Sequence, residues 1–216
     1  MRPRRWAAPL AAGLLVLCTA AAVGTTAPWA WASWLAMPAL AQVRAWQRTP
    51  ARPPAPEAWQ QARLQLDEAL AVVPGHGEVQ EAMGYLYLSA ALRPDQLPVV
   101  RLPYLRQAGE HLVRAVQARP MVPSAWANQA LALHWRERWG EPLPADALWT
   151  AFDRATALGQ REALVQQTLA EVALARWDQL GEVRQRAVQA MVAQATPEQR
   201  KALQALARRR GQEGLW

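Results

Sequence analysis

The sequence predicts an all-α fold, a short right-handed array of helical hairpins, and two observations favour it. Strong helix formers (Ala, Leu, Gln, Glu and Arg) dominate the 216 residues, and strand-type alternation is nearly absent. Internal repetition at a fixed spacing is typical of arrays built from one helical unit. Three segments share such a spacing of small and bulky apolar residues: Ala62-xxx-Leu66-xx-Ala69-xxxx-Pro74, Ala108-xxx-Leu112-xx-Ala115-xxxx-Pro120 and the looser Leu148-xxx-Phe152-xx-Ala155.

The residues after each Pro fit the first helix of a further hairpin. They are Met83, Gly84 and Tyr87 after Pro74, and Trp126, Ala130 and Leu133 after Pro120. This pattern resembles a degenerate tetratricopeptide repeat, whose first helix carries Trp, Leu, Gly and Tyr and whose second carries Ala, Phe, Ala and Pro. Pro74 and Pro120 are 46 residues apart, against a family period of about 34. We therefore expect the Pro-containing segment 93–103 to be an insertion that is not helical throughout.

Helix boundaries follow from Pro, Gly and capping residues. The first helix of the array opens behind Pro56, and the last starts at Thr196, where Pro197 fits the first turn and Gln199 completes a capping box. The polar surface of this last helix suits the exposed end of a repeat array. We expect three hairpins with a helix at either end, over residues 57–73, 77–92, 104–119, 124–139, 145–158, 161–177, 182–195 and 197–210.

The N-terminal segment predicts export. Arg2, Arg4 and Arg5 precede a stretch that carries no charge before Arg44. Its most apolar part, residues 7–24, is 18 residues long, close to the lower limit for a membrane-spanning helix. By the positive-inside rule the N-terminus is cytoplasmic, so the remainder is expected in the periplasm, with a single pass through the bacterial inner membrane.

Whether this segment is retained stays open at this stage. Trp29, Trp31 and Trp34 follow it directly, as aromatic residues do at a membrane interface. A cleaved signal peptide is the alternative, because Ala30-Trp31-Ala32 and Ala39-Leu40-Ala41 offer small-x-small sites. Both sites lie far from the apolar core, and we favour a retained anchor.

The domain organisation follows from these features. Four Pro between Arg48 and Pro56 indicate a stiff, extended spacer. We therefore divide the chain into a cytoplasmic basic tail with a transmembrane anchor or signal segment, a Trp-rich interfacial segment with a Pro-rich linker, a tetratricopeptide-like helical domain and a tail, over residues 1–28, 29–56, 57–211 and 212–216.

Composition argues against several function classes. The net charge is +7, but the only basic cluster, Arg208 to Arg210, lies at a predicted helix C-terminus, so we expect no nucleic-acid partner. The single Cys18 permits no internal disulfide. His76 is predicted in a loop, and His111 and His134 at a helix surface or groove, with no metal-ligand spacing. We expect no metal, no cofactor, no catalytic residue and no enzymatic activity, because motifs of nucleophile elbows and phosphate loops are also missing.

A partner groove is predicted where first helices line the concave face of the array. An amide such as Asn128 can hydrogen-bond to the backbone of an extended peptide, and aromatic side chains such as Tyr85 and Trp135 supply rigid contact area. Basic pairs typical of a carboxylate clamp are not seen at these positions. The candidate residues are Glu78, Glu81, Tyr85, Leu88, Asn128, Leu131, His134 and Trp135, with Ser124 and Ala127 at neighbouring groove positions.

Over residues 57–180 the chain also resembles VpsP-type polysaccharide-biosynthesis proteins of bacteria. The likeness rests on the segments Leu66–Pro74, Gly84–Leu88, Pro123–Asn128 and Ala170–Trp177. It implies a scaffold or adaptor that is accessory to exopolysaccharide or capsule biosynthesis and export, with a protein partner in a cell-envelope assembly. The alternative is an assembly factor or peptide-binding adaptor of another exported system, such as cytochrome c maturation or secretion. A third hypothesis is glycan contact through Trp135, Trp139 and Trp149.

Overall fold

The computed structural model describes residues 7–49 and 52–215, and confirms the all-α prediction. Side chains 7–18 and 20–22 are not among the described groups. Within these limits the elements are helical, with one 3₁₀ turn at Trp177–Gln179 between α7 and α8. The helices are α1 (Ala7–Arg48), α2 (Pro56–Val72), α3 (Gly77–Ala91), α4 (Pro98–Ala118), α5 (Pro123–Arg138), α6 (Ala147–Gly159), α7 (Ala163–Ala175), α8 (Gly181–Ala193) and α9 (Pro197–Arg209).

The helices pack mainly as consecutive pairs. Close contacts join α1 to α2, α3 to α4 and α5 to α6, and a smaller contact joins α7 to α8. The first members of these pairs also touch in order, α1 with α3, α3 with α5, and α5 with α7. One core cluster therefore joins α1, α2 and α3, and a second runs from α3 to α8.

The repeated spacing forms the buried seam of the α1–α2 and α3–α4 pairs. Ala62, Leu66 and Ala69 are fully buried on α2, and Ala108 and Leu112 are fully buried on α4. Small residues at this spacing let two helices approach closely, so the repeated geometry follows from side-chain volume.

Gly84 lies at a close contact between α3 and α4. A Cβ atom at Gly84 would lie 2.6 Å from Leu112 Cγ and 3.3 Å from the carbonyl oxygen of Ala108. Both partners belong to the repeated motif of the following helix. The absence of a side chain at Gly84 therefore lets α3 and α4 pack closely at this point.

The first helix differs most from the sequence expectation for residues 29–56. Instead of an interfacial segment and linker, residues 29–48 continue α1 and pack on α2, with Ala32, Ala36 and Ala39 fully buried. These Ala residues recur at i, i+4 and i+7, which places them on one helix face. The uncharged composition concealed this periodicity. The Pro-rich spacer joins α1 to α2 rather than separating an anchor from the domain.

Helix α4 begins earlier than its predicted start at Tyr104. It starts at Pro98 and contains Pro103. A Pro in the first turn removes no helical hydrogen bond. Pro103 lacks the N–H that would bond to the carbonyl of Val99, but Val99 lies on the exposed first turn, where water can replace that bond. Part of the expected insertion is thus helical.

The final helix closes the fold as predicted. Thr196 and Gln199 form a capping box: the Thr196 hydroxyl accepts from the Gln199 backbone N–H, and the Gln199 side-chain oxygen Oε1 accepts from the Thr196 backbone N–H. Only Leu203 and Ala207 of α9 are buried. They cover α7 and α8 beside Ala170, leaving a polar outer face.

Residues 1–6, which include the predicted basic tail, lie outside the described residues. So do most side chains of the predicted span, residues 7–24. In the part of the chain that the structure describes, no helix combines the length and the apolar character needed to cross a membrane.

Candidate functional site

A cavity of about 250 Å³ lies where α1, α3, α5 and α7 come together. We call it the central pocket. Its position follows from the packing order, because the first helices of successive pairs stack side by side. Among its lining residues, the polar ones are Gln47, Tyr85, Ser124, Asn128, Glu162, Gln167, Thr168 and Glu171.

Two of the predicted groove residues line this pocket. Tyr85 comes from α3 and Asn128 from α5, where Asn128 is 8% exposed. Burial raises the pKa of the Tyr85 phenol to about 12, so the hydroxyl stays protonated at neutral pH. Neither the Tyr85 hydroxyl nor the Asn128 amide hydrogen-bonds to another described residue. Both are therefore available to a ligand.

The α7 side of the central pocket is acidic. Glu162 precedes the first turn of α7, and Glu171 lies two turns further along. Burial raises the pKa of the Glu171 carboxyl, while the nearby Arg210 lowers it. None of the described residues that line this pocket is Lys or Arg. The pocket thus presents acceptors and amides, which suits a ligand rich in N–H or O–H donors.

The predicted groove residues Glu78 and Glu81 lie beside the central pocket rather than in it. They line a smaller cavity of about 190 Å³ between α1 and α3. Glu78 forms an ion pair with Arg44 of α1. Glu81 accepts a hydrogen bond from the Ser124 hydroxyl and lies 3.4 Å from Arg119. Burial raises the pKa of the Glu81 carboxyl, partly offset by these two partners.

Leu88 and Leu131 differ from their predicted place in the groove. Leu88 is 2% exposed and Leu131 is 7% exposed, and both belong to the core that runs from α3 to α8. Helix α5 packs on α3, α4, α6 and α7 at once. Because four neighbours cover it, most of its apolar faces are internal.

The remaining candidates, His134 and Trp135, line a third cavity of about 210 Å³ at the C-terminal ends of α5 and α7. We call it the arginine pocket, since Arg138 and Arg210 also line it. Arg176 Nε donates to His134 Nδ1 at 2.7 Å. Burial, followed by Arg176, Arg138 and Arg210, lowers the pKa of His134 to about 4. This basic cluster was missed because Arg176 and Arg210 are distant in sequence.

The other two histidines are also buried. His76 lies in the loop before α3, as predicted, and His111 is buried between helices rather than at the predicted surface or groove position. His76 is 8% exposed, and its Nε2 lies 3.0 Å from the Ser33 hydroxyl of α1. His111 Nδ1 lies 2.6 Å from Gln80 Oε1, and its ring stacks on Tyr87 at 5.7 Å. Burial lowers the pKa of His111 to about 4. These contacts tie neighbouring helices together.

A fourth cavity, of about 420 Å³, was not predicted from the sequence. Trp46 of α1, Trp59 of α2 and Tyr85 of α3 line it with Pro53 and Pro54 of the connection between α1 and α2. The signal lies in Trp46 and Trp59, which flank the Pro-rich segment that the sequence predicts to be a linker.

Within the described residues, no group of three or more His, Cys, Asp or Glu side chains is placed to hold a metal ion. Comparison of the chain with protein-family models, with curated proteins and with solved structures gave no match.

Proposed function

We propose that the chain is a short right-handed α-solenoid of tetratricopeptide-like hairpins, formed by α1–α2, α3–α4, α5–α6 and α7–α8 and capped by α9. The packing of each first helix on the next supports this proposal. So does the burial of the repeated Ala-Leu-Ala spacing in α2 and α4. The solenoid contains one pair more than the sequence suggested, because the second half of α1 completes the pair with α2.

Its function, in this proposal, is that of a non-enzymatic adaptor that binds a protein partner. The central pocket carries the argument: three of its polar groups, on Tyr85, Asn128 and Gln167, have no hydrogen-bond partner among the described residues. Amide and hydroxyl groups of this kind can satisfy the backbone of an extended segment. The acidic side formed by Glu162 and Glu171 favours a segment with donors or positive charge.

We place this adaptor at the bacterial inner membrane, with its domain in the periplasm, as an accessory of exopolysaccharide or capsule assembly. The likeness to VpsP-type proteins and the basic, then uncharged, N-terminal segment support this placement. The exposed faces of Trp31 and Trp34 add to it. These rings stack at 4.9 Å and are 53% and 59% exposed on α1, and such rings are favoured at membrane interfaces.

The test is complementation of a deletion strain with two matched variants. Gln167→Arg places a long cation in the central pocket, and Gln107→Arg makes the same change on the exposed face of α4. We expect exopolysaccharide yield to fall with Gln167→Arg and to stay at the parental level with Gln107→Arg, at equal amounts of folded protein. Equal yields from both variants and from the parent would refute the role of this pocket. An exopolysaccharide yield that is unchanged in the deletion strain itself would refute the proposed role in exopolysaccharide assembly.

A further inference from the structure

The arginine pocket has the chemistry of an anion site. Its polar lining consists of His134, Trp135, Arg138, Arg210 and Gln212, drawn from α5 and from the end of α9 and the residues after it. The arginine pocket is separate from the central pocket, on which the proposed function rests. Its volume of about 210 Å³ is below the range of about 300–1,000 Å³ that drug-sized ligands occupy. It therefore fits one small chemical group.

The histidine is held as a hydrogen-bond donor toward this pocket. Arg176 keeps its protons at any physiological pH, so its Nε–H makes His134 Nδ1 the acceptor. The neutral ring then carries its proton on Nε2, for which no described residue is an acceptor. With a pKa of about 4, His134 stays in this neutral form at pH 7.

The pocket also carries positive charge that the protein does not compensate. Arg176 pairs with Glu137 at 2.8 Å, and Arg210 lies 3.4 Å from Glu171. Arg138 has no carboxylate partner among the described residues. One uncompensated guanidinium matches a single negative charge, and its planar fork matches a carboxylate.

Two further polar atoms at this pocket lack partners. The Trp135 indole N–H and the Gln212 side-chain carbonyl oxygen are buried, and neither has a hydrogen-bond partner in the described part of the chain. We propose that the arginine pocket binds a small organic monocarboxylate, with Arg138 and Arg210 holding the carboxylate. His134 Nε2 donates to a neighbouring acceptor atom of the ligand. The carboxylate is supplied either by an acidic sugar or by a peptide terminus.

The test is ligand-observed nuclear magnetic resonance titration of the full chain in a non-ionic detergent. The probes are glucuronate and N-acetylglycine, with glucose and N-acetylglycinamide as their uncharged counterparts and inorganic phosphate as a dianion. We expect the two carboxylates to bind and the uncharged counterparts not to bind. The carboxylate that binds more tightly shows whether the natural ligand is an acidic sugar or a peptide terminus. Binding of either carboxylate supports the proposed site.

Two pocket variants, Arg138→Gln and Arg210→Gln, should each weaken carboxylate binding by at least about tenfold, because each removes a charged hydrogen-bond donor. Arg154→Gln is the matched control: Arg154 is exposed on α6, outside the pocket and without an ion pair to any described residue. Carboxylate binding that is unchanged in both pocket variants would overturn the proposal. Equal binding of the uncharged counterparts, tighter binding of phosphate, or no binding of either carboxylate would overturn it too.

Discussion

At the scale of single residues, the fold depends on small side chains at helix contacts and on histidines kept neutral by burial. Gly84 faces Leu112 with no room for a Cβ atom. His111 and His134 are 9% and 4% exposed, and each accepts or shares a hydrogen bond that fixes its ring. Both features can be tested by single substitutions or by pH.

Replacing Gly84 by Leu should lower the free energy of unfolding by roughly 1–3 kcal/mol, because the new side chain overpacks the α3–α4 contact. Gly75→Leu is the control, since a Cβ atom at Gly75 meets nothing within 4 Å. The measurement is urea-induced unfolding followed by far-ultraviolet circular dichroism. A variant at Gly84 as stable as the control would show that this contact adapts without strain.

Stability should decrease as the pH falls from 6.5 towards 4. Burial lowers the pKa of both His111 and His134 to about 4 in the folded chain, from an ordinary value of 6.5. The unfolded chain therefore binds more protons in this window, and protonation favours unfolding. Each histidine contributes roughly 1–3 kcal/mol that is fully present above pH 6.5. The urea concentration at the unfolding midpoint should be lower at pH 5 than at pH 7, and His111→Asn should reduce this difference. Equal midpoints at the two pH values would contradict the prediction.

At the scale of helices, the sequence predicted the features that rest on short-range patterns. It did not predict the features that rest on the packing of distant segments. The Ala-Leu-Ala spacing of α2 and α4 and the capping box at Thr196 are short-range signals, and the structure contains them as expected. The packing of α1 in the core was not predicted, because an uncharged stretch is compatible both with a membrane-spanning helix and with a helix packed on a neighbouring helix. The arginine pocket was missed because Arg138 and Arg210 meet only through the packing of α9 on α7.

Truncation separates the first half of α1, the predicted membrane segment, from the second half, which packs in the core. A chain that starts at residue 27 keeps the buried face of α1 and should fold as a helical domain. A chain that starts at residue 44 loses Leu40 and Val43, which are 8% and 1% exposed. Loss of these two side chains alone should cost about 3–6 kcal/mol. Thermal unfolding of both truncates measures the difference, and equal midpoints would show that α1 adds nothing to the core.

At the scale of the whole molecule, charge is divided between two neighbouring sites. The central pocket has Glu162 and Glu171 on one side, and the arginine pocket has Arg138 and Arg210. The Arg210–Glu171 pair, at 3.4 Å, lies between them. A partner that spans both would place its donors in the first and its carboxylate in the second.

The export hypothesis makes a prediction at this scale. A phosphatase reporter that is active only after export, fused after residue 216, should be active and should remain with the membrane fraction, because the basic N-terminus is retained in the cytoplasm. A fluorescent reporter that folds only in the cytoplasm is the control. Activity in the soluble periplasmic fraction would indicate cleavage instead. Fluorescence without phosphatase activity would contradict export altogether.

Helix α1 runs unbroken for 42 residues, from Ala7 to Arg48, a length of about 63 Å at 1.5 Å per residue. Its second half is part of the folded body, and the same helix continues into the first half, with Pro28 near the junction. If the first half is anchored in a membrane, the number of helical residues between the anchor and the body sets the direction that both pockets face around the bilayer normal. One inserted residue near Thr25 would turn the body by about 100°, whereas seven would restore its heading to within about 20°.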